Sequence, residues 1–225
     1  MNRVFSIAID GPAGAGKSTV AKALAKRLNA RYLDTGAMYR AVGLYFLRRG
    51  LTEDAAQVAR LASDMDISVK FEGDVQRMLL DGEDVTQAIR TPEAGMAASR
   101  VSAVPEVRAR LVCLQQETAR GIAMVMDGRD IGTKVLPDAQ LKIYLTASCE
   151  ARALRRYVEL RGRGESPAYH EVLDDIVERD YNDSHRAASP LCRAADAKLL
   201  DTSAMTLEQV LDAAAALARE AGIEG

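Results

Sequence analysis

Five short apolar segments punctuate the chain, and stretches of helical periodicity separate them. The first, residues 4–9, is almost continuously apolar, as expected of a strand buried on both faces. Residues 20–28 follow with Ala, Leu and Lys spaced as in an amphipathic helix. Residues 31–34 form a weak second strand, 122–126 and 141–145 stronger ones, and 198–200 a last one before Asp201. Thr206 with Gln209 three residues on is a capping box for a final helix, which Gly222 closes. The alternation predicts an α/β fold: a parallel sheet joined by right-handed crossovers, with ligands at the carboxyl ends of its strands.

Two stretches depart from that alternation. Residues 66–71 and 76–80 alternate apolar with polar, Asp81-Gly82 is a turn signal, and Asp84-Val85-Thr86 follows. A small antiparallel hairpin sheet is therefore expected between helical regions at 53–65 and 92–120, the second broken or restarted at Pro105. This insertion, 53–116, reads either as a flap that receives a second substrate or as peripheral decoration. Later, Arg152, Arg155, Arg156, Arg161 and Arg163 crowd a helix that runs into Gly162 and Gly164. That run reads as a solvated helix face or as a mobile, arginine-bearing lid.

The densest chemistry follows the first strand. Gly11-Pro12-Ala13-Gly14-Ala15-Gly16-Lys17-Ser18-Thr19 fits G-x-x-x-x-G-K-[ST] in its required setting, out of a strand and into a helix. Such a loop wraps backbone N–H groups around a polyphosphate, and the helix N-terminus faces the charge. Lys17 would reach the β- and γ-phosphates and the Ser18 hydroxyl would bind Mg²⁺, so a nucleoside-triphosphate site is expected. After the second strand, Asp34-Thr35-Gly36 with Arg40 can present an acceptor, a hydroxyl and a guanidinium, or can simply cap a helix. After the third, Asp127-Gly128-Arg129-Asp130 offers Asp127 to Mg²⁺ and turns Arg129 and Asp130 toward a second substrate; a solvated tight turn is the plainer reading. Arg179, Asp183 and Arg186, spaced i, i+4 and i+7, would share one helix face, as a phosphate-and-sugar site or as an intrahelical ladder.

Composition removes several classes. At 225 residues the chain suits a single α/β core with room for an insertion. A net charge of −2, 4% aromatic residues and no Trp argue against nucleic acid as a partner. Cys113, Cys149 and Cys192 are far apart without metal-site spacing, which suits a reducing compartment. No signal-like start and no apolar stretch near the roughly 18 residues of a membrane span are present, so a soluble, cytoplasmic protein is expected. Arginine outnumbers lysine 23 to 7, so only arginines in a constellation carry weight.

Taken in order, Gly11–Thr19, Leu33 to Arg40, Ser99 with Pro105 to Arg108, Asp127 to Thr133, and Glu178 through Arg186 resemble bacterial cytidylate kinase over nearly the whole chain. The Gly-Ala-Met-Tyr-Arg and Asp-Gly-Arg-Asp-Ile-Gly-Thr blocks are the particular ones. The resemblance implies a P-loop NTPase fold, three-layer α/β/α with a five-stranded parallel sheet. It also implies a monophosphate-binding insertion at 53–116, a short lid at 152–167, and a monomer. The implied reaction moves the γ-phosphate of ATP, with Mg²⁺, to CMP or dCMP. Arg40, Arg129 and Arg186 would clamp the acceptor phosphate, with Lys17, Arg129 and Arg186 catalytic. Ser99, Arg108 and Asp130 would read cytosine, Arg179 and Asp183 the sugar, with Thr35 supplying a hydroxyl. Arg152, Arg155 and Arg156 would serve the lid. Family variation after Lys17 leaves open whether Ser18 or Thr19 meets the metal. A regulatory GTPase would need D-x-x-G and N-K-x-D elements, which are absent from the sequence. A shikimate-type kinase would not need the hairpin insertion, and an ATP-gated binding module would leave the arginines idle.

Overall fold

The computed structural model describes residues 4–51 and 54–224. Five strands form one parallel sheet: β1 (Ser6–Asp10), β2 (Arg31–Asp34), β6 (Met124–Gly128), β7 (Leu141–Thr146) and β8 (Lys198–Asp201), in the order β2-β6-β1-β7-β8. The expected strand at 122–126 begins two residues late, because Gly121 turns the chain at φ 76° and the first ladder bond reaches Met124 from Phe5. Ile122 stays outside and is 37% exposed.

Period two in β1 builds both faces of the sheet. Ile7 and Ile9 join Val125 and Leu141 under α1 (Lys17–Arg27) and α8 (Leu207–Glu220). Ala8 turns the other way, with Leu33, Met124 and Met126, against α2 (Thr35–Leu47). A three-layer α/β/α sandwich results.

The inserted region holds α3 (Ala55–Leu61), an antiparallel sheet of β3 (Ile67–Glu72), β4 (Val75–Leu80) and β5 (Glu83–Asp84), then α4 (Pro92–Val101) and α5 (Pro105–Ala119). Its expected first residue, Glu53, lies outside the described residues, and the helix expected through residue 65 stops at Leu61. Val58, Met65, Ile67, Met78, Leu80, Ile89, Val107 and Leu111 share one apolar cluster with α2 and the main sheet. The contact is closest at Gly43 of α2, where a Cβ would stand 2.6 Å from the Ala98 backbone nitrogen of α4. The insertion is thus cored into the domain rather than hung from it, and any closure is a shear of packed helices.

Opposite it, α6 (Cys149–Gly162) and α7 (Tyr169–His185) form a hairpin whose own buried cluster is only Ala153, Val172 and Ile176. Among the described residues no helix is long and apolar enough to cross a membrane.

Candidate active site

Three adjacent strands finish at the same edge in aspartates or beside one. Asp34 is the register partner of Asp127, and Asp10 that of Gly128. Each carboxylate holds a different piece of backbone or side chain. Asp34 caps α2 by accepting from the Ala37 N–H at 2.9 Å, and its other oxygen lies 3.9 Å from Arg40 and 3.5 Å from Arg90. Asp10 accepts from the N–H groups of Ile131 and Gly132 at 2.8 and 2.7 Å, which fixes the turn carrying Arg129 and Asp130. Burial pushes the Asp10 carboxyl up to about 6 against those two bonds. Asp127 accepts from Ser18 Oγ at 2.8 Å and from the Tyr32 hydroxyl at 2.7 Å. Burial, then the neighbouring Asp34 charge, raises its pKa.

The phosphate loop runs from Gly11 to the N-terminus of α1. Gly11 crosses so near β7 that a Cβ there would lie 1.9 Å from the Leu145 carbonyl oxygen. Gly16 precedes the helix at φ 88° with no side-chain cap, leaving the first N–H groups of α1 for an anion. Lys17 is buried and donates to the Pro12 carbonyl at 2.7 Å. Burial, then the nearby Arg129 charge, lowers its pKa to about 7, with Asp127, Asp183 and Asp10 acting the other way. Ser18 faces Asp127 while Thr19 is exposed, so Ser18 is the better placed of the two hydroxyls.

Arg129 donates to Asp183 at 2.6 Å, and Asp183 lies 3.5 Å from Arg186. Burial opposes the Arg129 charge, but Asp183, with Asp127 and Asp180, outweighs it and holds its pKa above the usual value. Arg108 and Asp130, 3% and 4% exposed, form a buried ion pair, and Arg108 also donates to the Ser102 carbonyl at 3.1 Å. Arg40 Nη1, Arg108 Nε and Arg186 Nη2 are buried with no hydrogen-bond partner among the described residues. Buried donors left unpaired cost about 1–3 kcal/mol each, a cost that acceptors brought by a ligand would offset.

Several of the expected residues sit otherwise than the sequence suggests. Arg179, Asp183 and Arg186 do not share a helix face, because α7 ends at His185 and Arg186 is extended at ψ 142°. Arg179 is exposed and pairs with Asp175 on its own helix at 3.0 Å. Thr35 is buried, and its hydroxyl donates to the Asp127 carbonyl at 2.7 Å, tying two strand ends together. Ser99 is exposed at the surface of α4.

Nor do the arginines of α6 form a uniform mobile set. Arg152 is 3% exposed and donates to the Ala147 and Ala13 carbonyls at 2.8 and 2.9 Å and to Asp180 at 2.6 Å. Arg155 donates to Thr202 Oγ1 at 3.0 Å. Arg156 is half-buried and bonded to Glu159 at 2.9 Å, while Arg161 and Arg163 are exposed.

Sequence reasoning missed Asp10, Tyr32, Asp180 and Arg90, and it gave Tyr39 no role. The Tyr39 ring lies 5.3 Å from the Arg108 guanidinium, and burial pushes its hydroxyl up to about 12.

A profile described as "Cytidylate kinase" matches residues 7–220. The chain belongs to the cytidylate kinase family. A cytidylate kinase from Caldicellulosiruptor saccharolyticus is 50% identical over 208 residues, 92% of each chain. One from Pelotomaculum thermopropionicum is 52% identical over 213 residues, 94% of each. One from Mycolicibacterium paratuberculosis is 52% identical over 208 residues, 92% of this chain and 91% of that one. Among solved structures, a gluconokinase from Sinorhizobium meliloti superposes with a TM-score of 0.51 at 15% identity, covering 97% of this chain and 94% of the other. A shikimate kinase from Bacteroides thetaiotaomicron gives 0.50 at 15%, covering 96% and 97%. Those two likenesses speak to the P-loop kinase fold alone.

Proposed function

We propose that this kinase transfers the γ-phosphate of ATP to CMP or dCMP, giving ADP with CDP or dCDP. The observation that carries the reading is the bond from Ser18 of the phosphate loop to Asp127 at 2.8 Å, which ties the loop bearing Lys17 to the strand end that leads into Arg129 and Asp130. A buried lysine on the donor loop and a half-buried arginine on the acceptor side, brought to one edge of the sheet, suit a place where two phosphates meet. Phosphoryl transfer needs alignment and charge neutralisation, which such groups provide without a covalent intermediate.

Residues Gly11 to Thr19 take the phosphates of ATP. Arg40, Arg129 and Arg186 take the acceptor phosphate, and Asp183, already bonded to Arg129, is in reach of the sugar. Arg179 joins only if it leaves Asp175. The donor set at Ser18 fits a hard cation: its hydroxyl proton is committed to Asp127, which keeps the oxygen lone pairs for Mg²⁺. A Mg²⁺ ion held by Ser18, with Asp127 behind it, would offset the negative charge of the ATP phosphates.

Base choice falls to Arg108 and Asp130, with Ser99 assisting if it turns in from the surface of α4. Cytosine offers an N4 donor to the carboxylate and the N3 and O2 acceptors to the guanidinium. Uracil would set O4 against Asp130 and N3–H against Arg108. Because the two side chains already hold each other, uracil gives the pair no reason to open. The hairpin insertion and residues 152–167 close over the nucleotides, the former by shear and the latter about its polar ties.

A coupled assay of ATP consumption with CMP, UMP, AMP and shikimate tests the reading. CMP should be used far better than the other three. Equal use of UMP or AMP, or turnover only with shikimate, would overturn it.

A further inference from the structure

The reaction as outlined leaves the buried hydroxyl of Tyr32 without a task. It lies on β2, 8% exposed, and donates to Oδ1 of Asp127 at 2.7 Å. The second oxygen, Oδ2, accepts from Ser18 Oγ at 2.8 Å. The residue's carbonyl accepts from Thr35 Oγ1 at 2.7 Å. Asp127 is therefore gripped at three points, two of them by neighbours from β2 and its end.

An aspartate carboxyl turns easily about its last torsion, which is broad and two-fold. Held by Ser18 alone, it could rotate and let the serine hydroxyl reorient. The Tyr32 bond removes that freedom, since a phenol on Oδ1 leaves Oδ2 as the oxygen that faces Ser18. Lys22 Nζ sits 5.5 Å from the Tyr32 ring centre, so the aromatic body has its own packing, separate from the hydroxyl's bond. A ring without the hydroxyl would fill the same space.

We infer that Tyr32 is a positioning residue for the divalent-metal site: it locks the Asp127 carboxylate so that Ser18 keeps its proton on Oδ2 and its lone pairs for the cation. The inference rests on the reading of Ser18 and Asp127 as the pair that holds Mg²⁺. It concerns metal affinity more than nucleotide affinity, because the polar contacts of Tyr32 are with Asp127 and Ser18, the two residues of the metal site.

The test uses Mn²⁺ as the probe, its free signal followed by electron paramagnetic resonance while protein saturated with ADP is titrated. ADP binding with the metal chelated is measured alongside by calorimetry. Tyr32→Phe should weaken Mn²⁺ binding to the ADP complex roughly 5- to 10-fold, the loss of one hydrogen bond to a charged group, and leave metal-free ADP binding within about twofold. Ser18→Ala should weaken Mn²⁺ binding as well. The double variant should bind Mn²⁺ no more weakly than Ser18→Ala, because the tyrosine acts through the serine's partner. Unchanged Mn²⁺ affinity in Tyr32→Phe, or additive losses in the double variant, would overturn the inference while the metal reading stands. Equal losses of Mn²⁺ and of metal-free ADP would also overturn it, showing that Tyr32 shapes the loop as a whole. If Ser18→Ala binds Mn²⁺ like the parent, the metal reading fails and the inference with it.

Discussion

The two regions that flank the cleft are built from opposite materials. The insertion from α3 to α5 is joined to the rest by a continuous apolar cluster and by a helix crossing that only glycine permits at Gly43. The α6–α7 hairpin has a buried cluster of three small or medium residues, and its ties outward are polar: Arg152 to Ala13 of the phosphate loop and Arg155 to Thr202 after β8. Apolar packing resists displacement over its whole area, whereas a few directed bonds can be exchanged one for another. The hairpin is therefore the readier to move, and any movement would reach the phosphate loop through the Arg152–Ala13 bond. Distortion of the insertion reaches the acceptor side, through α2 and Arg40.

Substitutions can separate the two walls. The largest effect belongs to the loop between them: Lys17→Met should lower turnover by about 3 kcal/mol of barrier or more, with far-UV circular dichroism unchanged. The same variant reports on proton linkage. The lysine's folded pKa, about 7, lies below its ordinary 10.5, so its buried charge weakens the fold fully below pH 7 and not at all above pH 10.5. The stability of the parent relative to Lys17→Met, read by urea unfolding, should rise by roughly 1–3 kcal/mol between pH 7 and pH 10. A gap independent of pH would remove the burial argument.

Next comes Arg152→Ala, which leaves Asp180 and two carbonyls without their donor. Unfolding free energy should drop about 2–4 kcal/mol, and KM for ATP should rise more than KM for CMP. Gly43→Ala should cost about 1–3 kcal/mol by pushing α4 off α2, and here KM for CMP should rise more than KM for ATP. If both variants shifted the same constant, the division of labour between the walls would be wrong. Smallest of all, Arg156→Ala removes one exposed i, i+3 pair and should change stability by under about 0.5 kcal/mol, with activity near the parent's.

Local signals were the legible ones. The phosphate loop, the hairpin at Asp81-Gly82 and the terminal capping box each depend on residues a few positions apart, and each lies where the sequence places it. The three strand-end aspartates look alike in sequence but differ in task. Asp10 reads as the last residue of a strand, since its partners Ile131 and Gly132 stand more than a hundred positions away. Arg152 and Arg156 sit one helical turn apart in the same arginine run, yet only the first faces the phosphate loop, and that depends on how α6 docks. The i, i+4, i+7 spacing of Arg179, Asp183 and Arg186 presumed a helix that runs on. It stops at His185, and tertiary bonds then draw Asp183 to Arg129 instead.

The most direct test of the account is the ratio of kcat/KM for CMP to that for UMP, measured in the parent and in Asp130→Asn. Asparagine keeps the shape of the side chain and one acceptor, and it removes the charge that receives the cytosine amino group. The parent should prefer CMP by several kcal/mol, on the order of 100-fold or more. Asp130→Asn should lose most of its efficiency with CMP while that with UMP stays nearly constant, so that the ratio collapses toward one. Equal losses with both substrates would mean that Asp130 braces Arg108 and does not read the base, which would contradict the account at its centre.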